Sequence, residues 1–86
     1  MMTDLPSLVK ILRYLRNSRS GKTHADIIRA VRETQEHVAR ALEKLVKDGV
    51  ITEHGDLYQY QPTPKGEEIC RKMFIIYDEV VRREQL

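Results

Sequence analysis

Leu8, Ile11, Leu12 and Leu15 follow the i, i+3, i+4, i+7 spacing of one buried helical face and predict a first helix from Leu5 or Pro6 to Asn17. Asp4 is its expected N-cap, and Pro6 is tolerated in the first turn. The polar run Asn17-Ser18-Arg19-Ser20-Gly21 ends it as a loop. Ile27, Ile28 and Val31 mark a second helix, opened by Thr23 and Asp26 at the N-cap and N3 positions of a capping box. Arg32-Glu33-Thr34 is too short to be more than a turn, and Thr34 can cap the next helix. Val38, Ala41, Leu42 and Leu45 form the inner stripe of that third helix, from Gln35 to Asp48.

Gly49 supplies the left-handed residue that ends this helix, and the period then changes from helical to alternating. Val50–Glu53 and Leu57–Gln61 read as two strands, with His54-Gly55-Asp56 as the tight turn between them. Tyr58 and Tyr60 share one face of this hairpin, the glutamines share the other, and Pro62 closes it. A short strand near Gly21–Thr23 is placed to pair with the hairpin. Thr63 and Pro64, as cap and N1 residue, start a fourth helix that runs to about residue 84. Ile69, Met73, Ile76 and Val80 are spaced 4-3-4 along it, and Cys70, Phe74, Tyr77 and Val81 lie beside them. A helix apolar on so much of its girth, at the end of so small a domain, predicts a second copy of the chain as partner.

The predicted class is therefore mainly α with a small β-hairpin, in a single domain over residues 1–86: a core over 5–63 and a long C-terminal helix over 64–86. Eighty-six residues suffice for one modest core. No apolar run approaches the roughly 20 residues of a membrane-spanning helix. The first residues show no basic leader followed by an apolar stretch, so a cytoplasmic protein is expected. Net charge is only +2, but residues 10–32 carry seven basic side chains against the single acid Asp26. That third of the chain is the natural place to meet a polyanion.

The run V-A-R-A-L-E-K-L-V-K-D-G-V-I resembles winged helix-turn-helix regulators of the broad MarR, PadR and ArsR-like kind. Val38, Leu42, Leu45, Gly49 and Ile51 stand at the expected steps, followed by Tyr58 and the T-P-K-G of Thr63 to Gly66. The resemblance covers about residues 7 to 68. In layout the chain looks like small archaeal DNA-binding proteins with one winged helix and a C-terminal dimerisation helix. It implies that the third helix enters the major groove of double-stranded DNA, that the hairpin is a wing, and that the chain works as a homodimeric transcription regulator. With Val38, Leu42 and Leu45 inward, Glu36, Arg40, Glu43 and Lys47 point out. Arg40 can donate two bonds to guanine, and Ala39 suits a thymine methyl. Gln35 stands at the helix start, where base edges are met. Glu36 can accept from cytosine, and His37 lies on the flank. Lys22, Thr23, Arg32 and Lys44 are phosphate candidates. Ile69, Met73, Phe74, Ile76, Tyr77, Val80 and Val81 are the expected dimer contacts.

Two features weigh against this. Glu36–Arg40 and Glu43–Lys47 are i, i+4 pairs that would neutralise each other as surface ion pairs. The wing tip, Glu53-His54-Gly55-Asp56, leaves His54 as its only useful donor. The alternatives are a winged helix that binds protein, or an architectural binder without sequence preference. His24, His37 and His54 lack metal-ligand spacing, and no cofactor is implied. Cys70 lies on an apolar face as a packed thiol. Glu67 and Glu68 suit a helix N-terminus, and Ser18 and Ser20 have no base beside them, so no enzyme is read from the chain.

Overall fold

The computed structural model describes residues 5–85. The elements are α1 (Leu5–Arg16), β1 (Lys22–Thr23), α2 (His24–Val31), α3 (Gln35–Lys47), β2 (Ile51–His54), β3 (Leu57–Tyr60) and α4 (Pro64–Gln85). The predicted Asp4 cap lies outside the described residues. Each predicted element is present, with ends displaced by a residue or so. Asp48 is the C-cap of α3 rather than its last turn. His54 belongs to β2, because it pairs with Leu57 and leaves only Gly55 and Asp56 in the turn. Gly55 takes φ +63° at the first turn position, as a type II′ hairpin demands.

The three strands form an antiparallel sheet in the order β1-β3-β2. Lys22 is opposite Tyr58 and Thr23 opposite Leu57, so the wing is hydrogen-bonded to the strand that leads into α2. Gly21 precedes that strand where a Cβ would stand 3.0 Å from the Cβ of Leu57.

The predicted stripes are the core. Leu8, Ile11, Leu12, Leu15, Ile27, Val31, Val38, Ala41, Leu42, Leu45, Val50, Ile51 and Cys70 form one buried cluster. The first helix is its hub, touching α2, α3, α4 and β3. That position explains Val9, which is off the predicted stripe and still only 1% exposed. A helix packed on several sides has no wide solvent face to spare.

The T-P-K-G corner also has a physical reason. Thr63 Oγ1 accepts from the Gly66 N–H at 3.0 Å and so caps α4. A Cβ on Gly66 would lie 2.7 Å from the Gln61 carbonyl oxygen. Gly66→Ala is expected to lower stability by about 1–3 kcal/mol, the cost of overpacking a closed site. Denaturant unfolding checks this, and an unchanged midpoint would count against the corner as drawn.

Candidate nucleic-acid interface

The turn between α2 and α3 sets the direction of α3. Arg32 caps α2 in the left-handed region, φ 55° and ψ 40°, and its N–H donates to the Ile28 carbonyl at 2.9 Å. It is the only non-glycine residue with positive φ among those described. Such a conformation costs roughly 1–2 kcal/mol in a residue with a Cβ. Thr34 then caps α3, its hydroxyl accepting from the His37 N–H at 3.2 Å.

Between these two residues Glu33 fastens the turn to α1. It accepts from Ser7 Oγ at 2.7 Å and from Lys10 Nζ at 3.1 Å. The Ser7 bond first, and then that of Lys10, hold the Glu33 carboxyl below its usual range. Sequence reading missed this tether, though Ser7, a polar residue one turn before Ile11 on an apolar stripe, was its visible sign.

Because Val38, Ala41, Leu42 and Leu45 are buried, α3 turns Glu36, Arg40, Glu43 and Lys47 to solvent in one line. Among the described residues neither Glu36–Arg40 nor Glu43–Lys47 forms an ion pair. The pair that forms is Lys44 with Asp48, at 3.3 Å. Arg40 and Lys47 are thus free donors, whereas the phosphate candidate Lys44 is already engaged. Gln35, Glu36, His37, Ala39 and Arg40 are all exposed on or beside this line.

The basic first third is less available than its composition implied. Lys10 pairs with Glu33 at 3.1 Å, Arg16 with Glu67 at 3.0 Å and Arg29 with Asp26 at 2.9 Å. Arg13 approaches Asp78 at 3.6 Å and lies over the rings of Phe74 and Tyr77, 4.9 and 5.7 Å from their centroids. The α1 cations therefore bind this chain's own acids and aromatics. Arg19, Lys22 and Arg32 are left without an acidic partner among the described residues. Thr23 is half-buried in β1, and its hydroxyl oxygen accepts from the Asp26 N–H at 3.1 Å. Its proton alone remains to be given.

A cleft of about 310 Å³ separates α3 from the wing, with Glu43 and Val46 on one side, Glu53 and Tyr58 on the other, and His24 beside them. Burial, and then the Glu53 carboxylate, push the Tyr58 phenol up. His54 is exposed at the end of β2.

The dimer residues expected on α4 are divided by the fold. Ile69, Met73 and Phe74 pack on the core of their own chain. Tyr77, Val80 and Val81 are half-buried. Ile75, absent from the expected set, and Ile76 are the large apolar residues exposed there, at 54% and 48%. Cys70 is 1% exposed, and burial pushes its thiol up, away from the reactive thiolate. No group of three or more potential ligands close enough to hold a metal occurs among the described residues, and none of their helices is long and apolar enough to cross a membrane.

Residues 6–66 match the family model of the winged helix DNA-binding domain. Among solved structures the chain is similar to Bordetella bronchiseptica BpsR, whose DNA binding is regulated by 6-hydroxynicotinic acid, with a TM-score of 0.64 and 16% identity. The match covers 96% of this chain and 60% of that one, so this chain spans little more than half its length. At that identity the likeness concerns the fold. No curated protein matches the sequence.

The Glu33 tether gives a signed expectation. A carboxyl held below its ordinary 4.5 stabilises the fold fully above that pH, and the contribution is lost as pH falls below it. Glu33→Gln is expected to cost about 1 kcal/mol at neutral pH and to flatten the acid limb of the stability profile below pH 4.5. Chemical denaturation across pH reads both, and an acid limb as steep as wild type would rule the tether out.

Proposed function

Because the chain belongs to the winged helix DNA-binding domain family, we propose that it is a sequence-specific transcription regulator that lays α3 in the major groove of double-stranded DNA as a homodimer. The observation that carries this reading is the outward line of α3, where Arg40 is exposed and free of Glu36. Its fork is then available to guanine, with Gln35, Ala39 and His37 beside it at the groove. Arg32, Lys22, Arg19 and the Thr23 hydroxyl proton serve as phosphate donors that set register without reading sequence. Lys44 joins them only by leaving Asp48, an exposed pair worth little. His54 is the one donor the wing tip offers.

Ile75 and Ile76 on α4 support pairing with a second copy, which would hold two α3 helices in successive major grooves about 34 Å apart. The reading places the protein in the cytoplasm with its DNA. Glu53 and Asp56 at the wing tip favour a second reading, a winged helix that binds protein; such a module would show no affinity for random duplex at low salt.

Three outcomes are expected. Arg40→Ala lowers affinity for a selected site by about 1–3 kcal/mol while sparing random duplex. Arg32→Gly weakens binding to every sequence alike and raises stability by about 0.5–1 kcal/mol, since glycine accepts the left-handed conformation. Fluorescence anisotropy and thermal melting check both; variants that bind like wild type would remove α3 as the reader. In solution the mass should be that of a dimer, and a monomer at micromolar concentration would end the two-groove arrangement.

A further inference from the structure

The exposed line of α3 alternates in sign, and its acids need an explanation if this helix meets DNA. Glu36 and Glu43 stand within i, i+4 reach of Arg40 and Lys47, yet neither pair closes among the described residues, although Lys44 and Asp48 nearby do pair. Glu43 also borders the cleft that Glu53 shares, where the wing brings no lysine or arginine to offset it. Glu43 shares a hollow with Arg40, Lys44 and Lys47 but is held by none of them in an ion pair, and a carboxylate so placed in a groove is repelled by phosphates on both sides. It is tolerated where it accepts a hydrogen bond from a base, and in the major groove the base donors are the amino groups of cytosine N4 and adenine N6.

We propose that Glu36 and Glu43 are specificity-determining residues, accepting from a cytosine or adenine amino group at base pairs on either side of the one read by Arg40. This rests on α3 being the groove helix. The spacing suits it. Glu36 and Arg40 are about 6 Å apart along the helix axis and Arg40 and Glu43 about 4.5 Å, against about 3.4 Å per base pair. The three side chains thus span roughly three base-pair steps. Glu36 lies in the first turn of α3, where recognition helices meet base edges. The two acids then act chiefly by rejection. They lower affinity for every duplex that lacks an amino group at the right step, which a lysine or arginine cannot do.

The test is selection from a random duplex pool by wild type, Glu36→Ala and Glu43→Ala, followed by anisotropy on the selected and a random duplex. Both positions are exposed on a helix, and alanine is the best helix former, so the variants keep the fold; melting curves check it. Wild type is expected to enrich cytosine or adenine at two positions flanking a guanine. Each variant should lose that preference at one position and bind random duplex more tightly than wild type. The ratio of selected to random affinity should fall roughly tenfold. An unchanged ratio in both variants, or equal weakening on both duplexes, overturns the proposal. Wild type that binds all duplexes alike also overturns it while leaving DNA binding intact. Failure to bind any duplex at low salt ends both readings together.

Discussion

Burial of the apolar face of α1 is the constraint on which the rest of the structure depends. Ile11 and Leu12 are fully enclosed and Leu15 nearly so, each removal from water being worth about 2 kcal/mol. Because α1 touches α2, α3, α4 and β3, every other helix takes its orientation from the same few side chains. The same core fixes the rotation of α3 about its own axis. With Val38, Ala41, Leu42 and Leu45 seated in it, the line from Glu36 to Lys47 has nowhere to face but outward.

Polar contacts then refine what the core sets. Ser7 and Lys10 on α1 reach Glu33 in the turn before α3, so the hub helix positions the start of α3 by hydrogen bonds as well as by packing. Arg13 and Arg16 do the same for α4, through Asp78, Glu67 and the faces of Phe74 and Tyr77. Charges that composition alone would offer to a polyanion are thereby spent inside the molecule. Of the cations in residues 10–32, those left without an acidic partner among the described residues are Arg19, Lys22 and Arg32, before and in β1 and in the α2–α3 turn.

That redistribution sharpens the functional picture. A surface relying on bulk positive charge would bind nucleic acid with little regard to sequence. Here Arg40 and Lys47 alternate with Glu36 and Glu43, and the wing carries Glu53 and Asp56. In the proposed reading, that balance moves weight from phosphate attraction toward contacts with base edges. Arg32 keeps a left-handed backbone as the C-cap of α2, a conformation that a non-glycine residue holds only where its surroundings impose it.

The order of elements, their caps and most of the core were legible in the sequence by itself, because helical and strand periodicities and capping chemistry act over a few residues. Thr23 with Asp26, Thr34, Thr63 and Gly55 all do locally what their residue types dictate. The family resemblance rested on the same local signals, and the match over residues 6–66 agrees with it. What only the tertiary structure decided is which charges remain free and which apolar residues remain exposed. Arg13 finds Asp78 sixty-five residues away, Lys10 finds Glu33, and the two i, i+4 pairs that spacing allows on α3 stay open while Lys44 pairs with Asp48. Met73 and Phe74 turn to their own core while Ile75 and Ile76 stay outside. Those outcomes depend on where elements far apart in the chain come together in space, and no spacing within one segment encodes that.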